Sequence, residues 1–186
     1  MQQYVVARSI RWSVALALAT LLCGSAVRAQ QLDQILRGYE IAEVQGISLN
    51  LKGKDWSLVG LGSYLVNSTG CNDCHTWPNY ANGGNPYLGQ SEQINTQRYM
   101  AGGRQFGPDP VNGHIVTSAN ITPDSTGKPA GLTLAQFLEV IRTGHDPYPE
   151  YPGRLLQVMP WSLYHWKTDL ELSAIYEYLR AIPRIQ

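Results

Sequence analysis

Cys71-Asn72-Asp73-Cys74-His75 is the stretch around which the rest of the chain is read. It has the form Cys-x-x-Cys-His, the pattern that attaches a c-type haem. Two thiols separated by two residues can add across the two vinyl groups on one edge of a porphyrin. The next residue, His75, is then held beneath the iron, where its imidazole can supply the proximal nitrogen ligand. Three other readings of Cys-x-x-Cys compete: a disulfide, half of a zinc site, or a thioredoxin-like redox pair. A zinc site would want a second pair of Cys or His ligands, and no Cys lies downstream of Cys74. A redox pair belongs at a helix start within an α/β alternation, which this chain does not show.

The start of the chain agrees with haem attachment. Arg8 and Arg11 precede the apolar run Val14–Leu22, and Val27-Arg28-Ala29 offers small residues at a cleavage point, with Gln30 as the mature start. Residues 1–29 are therefore expected to be a signal peptide that exports the protein to the periplasm. The apolar run is too short to span a membrane unless it is left uncleaved and extended. A buried core helix fits less well, because basic residues flank the run and no acidic residue precedes Asp33. Cys23 would be acylated in a lipoprotein, but Thr20-Leu21-Leu22 lacks the small residue expected before such a cysteine.

In the mature chain Cys71 and Cys74 are the only thiols, so no structural disulfide is left to form. The precursor balances 14 Lys and Arg against 14 Asp and Glu, and loss of Arg8, Arg11 and Arg28 leaves a formal charge of −3. That charge argues against nucleic acid or an anionic membrane surface as partner. The membrane would be met only through a partner or an uncleaved signal.

Residues 30–54 read as an N-terminal extension, with Ile47-Ser-Leu-Asn-Leu51 alternating like a short strand or extended arm. It either wraps the following domain, touches a partner, or forms a poorly ordered leader. Residues 55–186 form the haem domain. Asp55 caps a helix whose apolar face is Leu58, Val59, Leu61, Leu65 and Val66, and Asn67-Ser-Thr-Gly70 stops it. Gly62 inside that helix costs about 1 kcal/mol relative to Ala, which implies a packing reason.

From Thr76 to Gly131 the chain is rich in Gly, Pro and Asn. So long a loop needs short hairpins, for example around Val111–Val116, or a haem to pack on. Tyr80, Tyr87, Tyr99, Met100, Phe106, Ile115 and Ile121 are its expected anchors. Thr133-Leu-Ala-Gln136 and Thr168-Asp-Leu-Glu171 are capping boxes that open two more helices. The first carries Leu134, Phe137, Leu138 and Ile141 on its apolar face and stops at Gly144. The second turns Leu170, Ala174, Ile175, Tyr178 and Leu179 to the core.

Met159, in Met159-Pro160-Trp161, is the candidate for the second axial ligand, with Trp161 available to cover a haem edge. A thioether favours reduced iron and raises the potential. Met159 could instead fill the core, as Met often does. Met100, His114, His145 and His165 compete for the iron. Arg98, Arg104, Arg154, Asn120 and Thr122 are candidate partners of the haem propionates. Pro78 or Pro86 could offer a backbone carbonyl to the second nitrogen of His75.

The order helix, haem motif, long loop, helix, Met-Pro-Trp, helix resembles the class I cytochrome c fold. More narrowly it is similar to cytochrome c domains that accompany periplasmic sugar, alcohol and aldehyde dehydrogenases. The pieces that carry the resemblance are Gly62-Ser-Tyr-Leu-Val66, Asn120-Ile-Thr-Pro-Asp124 with Thr126-Gly127, Met159-Pro160-Trp161 and Ala174-Ile-Tyr-Glu-Tyr-Leu179. The resemblance implies an all-α fold around one covalent haem c. In it Cys71, Cys74, His75 and Met159 bind the cofactor, and His75 and Met159 bind its iron. It implies crossed first and last helices, with Gly62 admitting Tyr178. Those dehydrogenase subunits often carry three haem domains, whereas this chain has one motif.

The expected function is one-electron transfer without bond chemistry and without catalytic residues. The expected partners are redox proteins: a dehydrogenase as donor, and an oxidase or another cytochrome as acceptor. A peroxidase-like haem enzyme, or a gas or redox sensor with a displaceable ligand, is the alternative.

Overall fold

The helix α2, Trp56–Ser68, carries the packing of the domain. Asp55 caps it: its carboxylate accepts from the N–H groups of Ser57 at 2.8 Å and Leu58 at 3.3 Å. Two donors that a helix start leaves orphaned are thereby satisfied. Val59, Leu61, Leu65 and Val66 are buried as the helical spacing requires.

The structure, a computed structural model, describes residues 28–108, 113–147 and 153–186. The chain divides into two units, Met1–Gln34 and Ile35–Gln186. In the first, the described residues 28–34 are helical. Residues 1–27 of the expected signal segment, Cys23 among them, lie outside the described residues, whereas the expected cleavage point between Ala29 and Gln30 falls within the helical residues. Among the described residues no helix is long and apolar enough to cross a membrane.

The second unit is dominated by helices, as the sequence predicts. Residues 35–44 form α1, followed by α2, a short α3 (Cys71–His75), α4 (Leu134–Thr143), α5 (Trp161–Tyr164) and α6 (Asp169–Ala181). Two bare backbone faces of α2 fix its neighbours. A Cβ placed on Gly62 would lie 1.9 Å from the Ala174 carbonyl oxygen and 2.7 Å from Tyr178 Cβ. Only glycine lets α2 and α6 come that close. On α1, a Cβ on Gly38 would lie 1.8 Å from the Gly60 carbonyl oxygen. The Ser63 hydroxyl donates to the Gly38 carbonyl at 2.7 Å, which satisfies a polar group buried in that crossing.

Ile35, Ala42, Ile47, Val59, Val66, Leu172, Ile175 and Leu179 share the resulting core. Burial of each larger side chain stabilises by about 1.5–3 kcal/mol. Residues 35–47 are thus part of the domain's own core. The alternating run Ile47–Leu51 is not a strand. Its Asn50 N–H instead donates to the Ala181 carbonyl at the end of α6, 2.8 Å away.

Both predicted capping boxes are present, at Thr133/Gln136 and Thr168/Glu171. Their buried faces differ in part from the expected ones. Leu170 is 51% exposed and Leu172 is buried in its place, because Leu170 lies in the first turn of α6. On α4 the buried pair is Val140 and Ile141, while Leu134 in the first turn stays exposed and Phe137 and Leu138 are half-buried.

The long segment after α3 has little regular structure. A 3-10 turn covers Pro86–Leu88, and an antiparallel pair joins β1 (Gln105–Phe106) to β2 (Val116–Thr117) with Phe106 opposite Val116. The pairing touches the expected stretch Val111–Val116 only at Val116, and its other strand lies upstream of it; residues 109–112 lie outside the described ones. Tyr99 and Met100 anchor the segment in the core, whereas Tyr87 and Ile115 are exposed. The Tyr99 hydroxyl lies 2.9 Å from Asn67 Oδ1 and 2.8 Å from the Tyr178 hydroxyl, so loop, α2 and α6 meet at one buried polar junction.

Candidate functional site

Gly70, at φ +80, turns the chain from the end of α2 directly into α3. Cys71, Cys74 and His75 therefore occupy one short helix, and the position of that helix is set by the α2 core. Both cysteines are free and half-buried. Desolvation raises the pKa of each thiol, although Thr69 partly offsets this at Cys71 and Arg104 does so at Cys74. The Thr69 hydroxyl lies 3.8 Å from Cys71 Sγ.

His75 is held from the other side of the domain. Its Nδ1 lies 2.8 Å from the Ala119 carbonyl oxygen. A carbonyl can only accept, so Nδ1 carries the proton and Nε2 keeps its lone pair. Burial lowers the imidazolium pKa, against the opposing pull of Ala119, and favours the neutral ring. That tautomer is the one a metal ligand needs. The carbonyl comes from Ala119, not from Pro78 or Pro86, because the chain after Met100 is folded back against α3.

Gly102 makes this possible. Its N–H donates to the His75 carbonyl at 2.6 Å. A Cβ there would lie 2.3 Å from the Ser118 carbonyl oxygen and 2.4 Å from that of Ala119. Gly103 N–H also donates to Ser118 and Ile121 N–H to Met100, each at 2.9 Å. No sequence signal pointed to Ala119, and the only trace of the strap was the Gly102-Gly103 pair.

Met159 is half-buried against the same core cluster as Cys71. The short helix that follows it is fixed at three points. The Trp161 ring covers Gly144, where a Cβ would lie 2.2 Å from the indole, and Trp161 Nε1 donates to the Leu156 carbonyl at 3.2 Å. Arg142 donates to the His165 carbonyl and to Asp169 Oδ1. The Tyr164 hydroxyl donates to the Thr69 carbonyl at 2.7 Å, beside Cys71. Burial, together with the nearby thiols, pushes the Tyr164 pKa up to about 12.

The competing candidates have partners of their own. Met100 is fully buried at φ +59, with its N–H donating to Thr76 Oγ1 at 3.1 Å, and serves the core. His114 and His145 are exposed, and His165 lies 4.4 Å from the Trp166 ring. Arg98 donates to the Trp77 carbonyl at 3.3 Å, and Arg154 pairs with Asp146. Arg104 lies over Trp77 and Phe106 and donates to the Asp73 carbonyl at 2.7 Å, beside the haem motif. Asn120 and Thr122 bond each other and the Ile185 backbone, so their polar groups tie down the C-terminal tail.

The donor set suits a covalent haem. Two unpaired thiols and an imidazole with a free Nε2 share one short helix, and a thioether is packed on the same core. No protein-family model, curated protein or solved structure matches the chain.

Proposed function

We propose that this protein is a monohaem c-type cytochrome of the class I kind, carrying single electrons in the periplasm between a dehydrogenase and a respiratory-chain acceptor. The observation that carries the reading is the His75 tautomer: Ala119 holds the Nδ1 proton and leaves Nε2 as a ligand, directly after two free thiols. Cys71 and Cys74 tether the group by thioether bonds. His75 and Met159 would be the residues that hold its iron. A bound haem supplies the ferric/ferrous couple. The carbonyl behind His75 raises the basicity of the imidazole, and the Met159 sulfur favours the reduced state.

The thiol environment weighs against a redox dithiol. Such pairs work through a lowered thiol pKa, and here burial raises both. The optical spectrum of the oxidised and reduced protein beside Met159→Ala tests the proposal. Expected is a weak far-red sulfur–iron band in the wild type that the variant loses. A wild-type spectrum without that band, or a band that survives the substitution, removes the His75/Met159 pair and favours the enzyme or sensor reading.

A further inference from the structure

We propose that Tyr164 is a positioning residue that locks the Met159 segment to the cysteine-bearing helix and so guards the sulfur–iron bond against competing ligands. This rests on the axial-ligand reading above. Met159 and the cysteines come from distant parts of the chain, and α5 packs on α4. The Met159 segment is internally stiff. Its Trp161 N–H donates to the Met159 carbonyl at 2.8 Å, and Leu163 N–H donates to the Pro160 carbonyl at 2.9 Å. It behaves as one body that carries the sulfur.

Among the described residues, one hydrogen bond ties that body to the residues around Cys71: Tyr164 Oη to the Thr69 carbonyl, at 2.7 Å. Thr69 is the C-cap of α2, and its own hydroxyl reaches back to the Leu65 carbonyl at 2.7 Å. The acceptor is therefore fixed to the most deeply packed helix of the domain. Trp161 on Gly144 and Arg142 on His165 tie the segment to α4, and the Met159 and Tyr164 side chains pack on the core, so the Tyr164 hydroxyl is the polar contact that fixes the segment against the residues beside Cys71. Without that hydroxyl only apolar packing holds the segment there, and the sulfur leaves the iron more readily.

The experiment is an imidazole titration of the oxidised holoprotein, read at the far-red band. It compares wild type, Tyr164→Phe, Met159→Ala and, as control, Tyr87→Phe, whose phenol is 86% exposed. Tyr164→Phe removes one oxygen and keeps the ring. It is expected to retain the band at rest, and to bind imidazole about two- to tenfold more tightly than wild type, the span that one net hydrogen bond provides. Tyr87→Phe is expected to match wild type. If the band is present and depends on Met159, but Tyr164→Phe binds imidazole with wild-type affinity, the lock is refuted while the ligand pair stands. If wild type has no such band, or Met159→Ala keeps it, the ligand pair itself fails and the lock has nothing to guard. A purely structural role for the hydroxyl would lower the unfolding midpoint and leave imidazole affinity unchanged, which also overturns the proposal.

Discussion

Gly102→Ala is the substitution that tests most directly how His75 is held. Gly102 sits at φ +66, where a residue with a Cβ is strained by about 1–2 kcal/mol. Its Cβ would also lie 2.3 Å and 2.4 Å from two carbonyl oxygens, those of Ser118 and Ala119. Backbone oxygens cannot rotate aside, so the 118–119 strap must move, at an overpacking cost of about 1–3 kcal/mol. Reduced freedom of the unfolded chain returns about 0.4–1 kcal/mol. The net expectation is a loss of about 2–4 kcal/mol.

Gly53→Ala separates strain from contact. Gly53 has φ +68 but nothing within 4 Å of its Cβ, so it carries the strain alone. The difference between the two variants in chemical denaturation should therefore be about 1–3 kcal/mol. Displacing Ala119 also weakens the hydrogen bond at His75 Nδ1 and lowers imidazole basicity, which in the proposed haem protein disfavours ferric iron. The potential should rise, by no more than about 40 mV if the bond is worth about 1 kcal/mol. Potentiometric titration reads that shift. A Gly102→Ala protein no less stable than Gly53→Ala, with an unmoved potential, would falsify the view that Gly102 seats the strap behind His75.

Three further expectations concern the scaffold. Gly62→Ala should destabilise by about 1–3 kcal/mol despite a helix-propensity gain of about 1 kcal/mol, because its Cβ would meet the Ala174 carbonyl oxygen at 1.9 Å; a raised melting temperature would contradict the crossing. Tyr99→Phe should cost about 1–3 kcal/mol by leaving Asn67 and Tyr178 short of a buried partner, and an unchanged denaturation midpoint would dismiss that junction. The side-chain hydrogen bond from Ser57, with the backbone N–H groups of Leu58 and Ser57, holds the Asp55 pKa below its unfolded value of 3.8. Its contribution is therefore present above that value and lost as pH falls through the lower folded pKa. Asp55→Asn should flatten the acid limb of the stability curve in that window, and identical acid limbs would show the cap does not titrate with folding.

Much of this molecule is legible in local sequence. The Asp55 cap, both capping boxes, the stop at Gly144 and the buried Val59, Leu65 and Val66 each depend on groups within a turn of one another. The same holds for Cys71, Cys74 and His75, whose near spacing puts all three on one short helix. The local pattern misleads where a short alternating run finds no strand to pair with, as at Ile47–Leu51, or where the end of a helix leaves the core, as at Leu170 and Leu134.

Tertiary structure decided what lies behind the site. The hydrogen bond from His75 to Ala119 spans 44 residues, and that from Tyr164 to Thr69 spans 95. A backbone carbonyl carries no side-chain signature, so nothing in the sequence marks Ala119 or Thr69 as an acceptor. Likewise Met100 and Met159 are chemically alike, and only folding separates them: one is sealed in the core at φ +59, the other packs at its margin on a segment tied back to Thr69. The sequence determines which groups can do the chemistry, because reactivity is a property of residue type and near spacing. The fold decides which of them meet, and in which protonation state, because that depends on backbone atoms brought together from far along the chain.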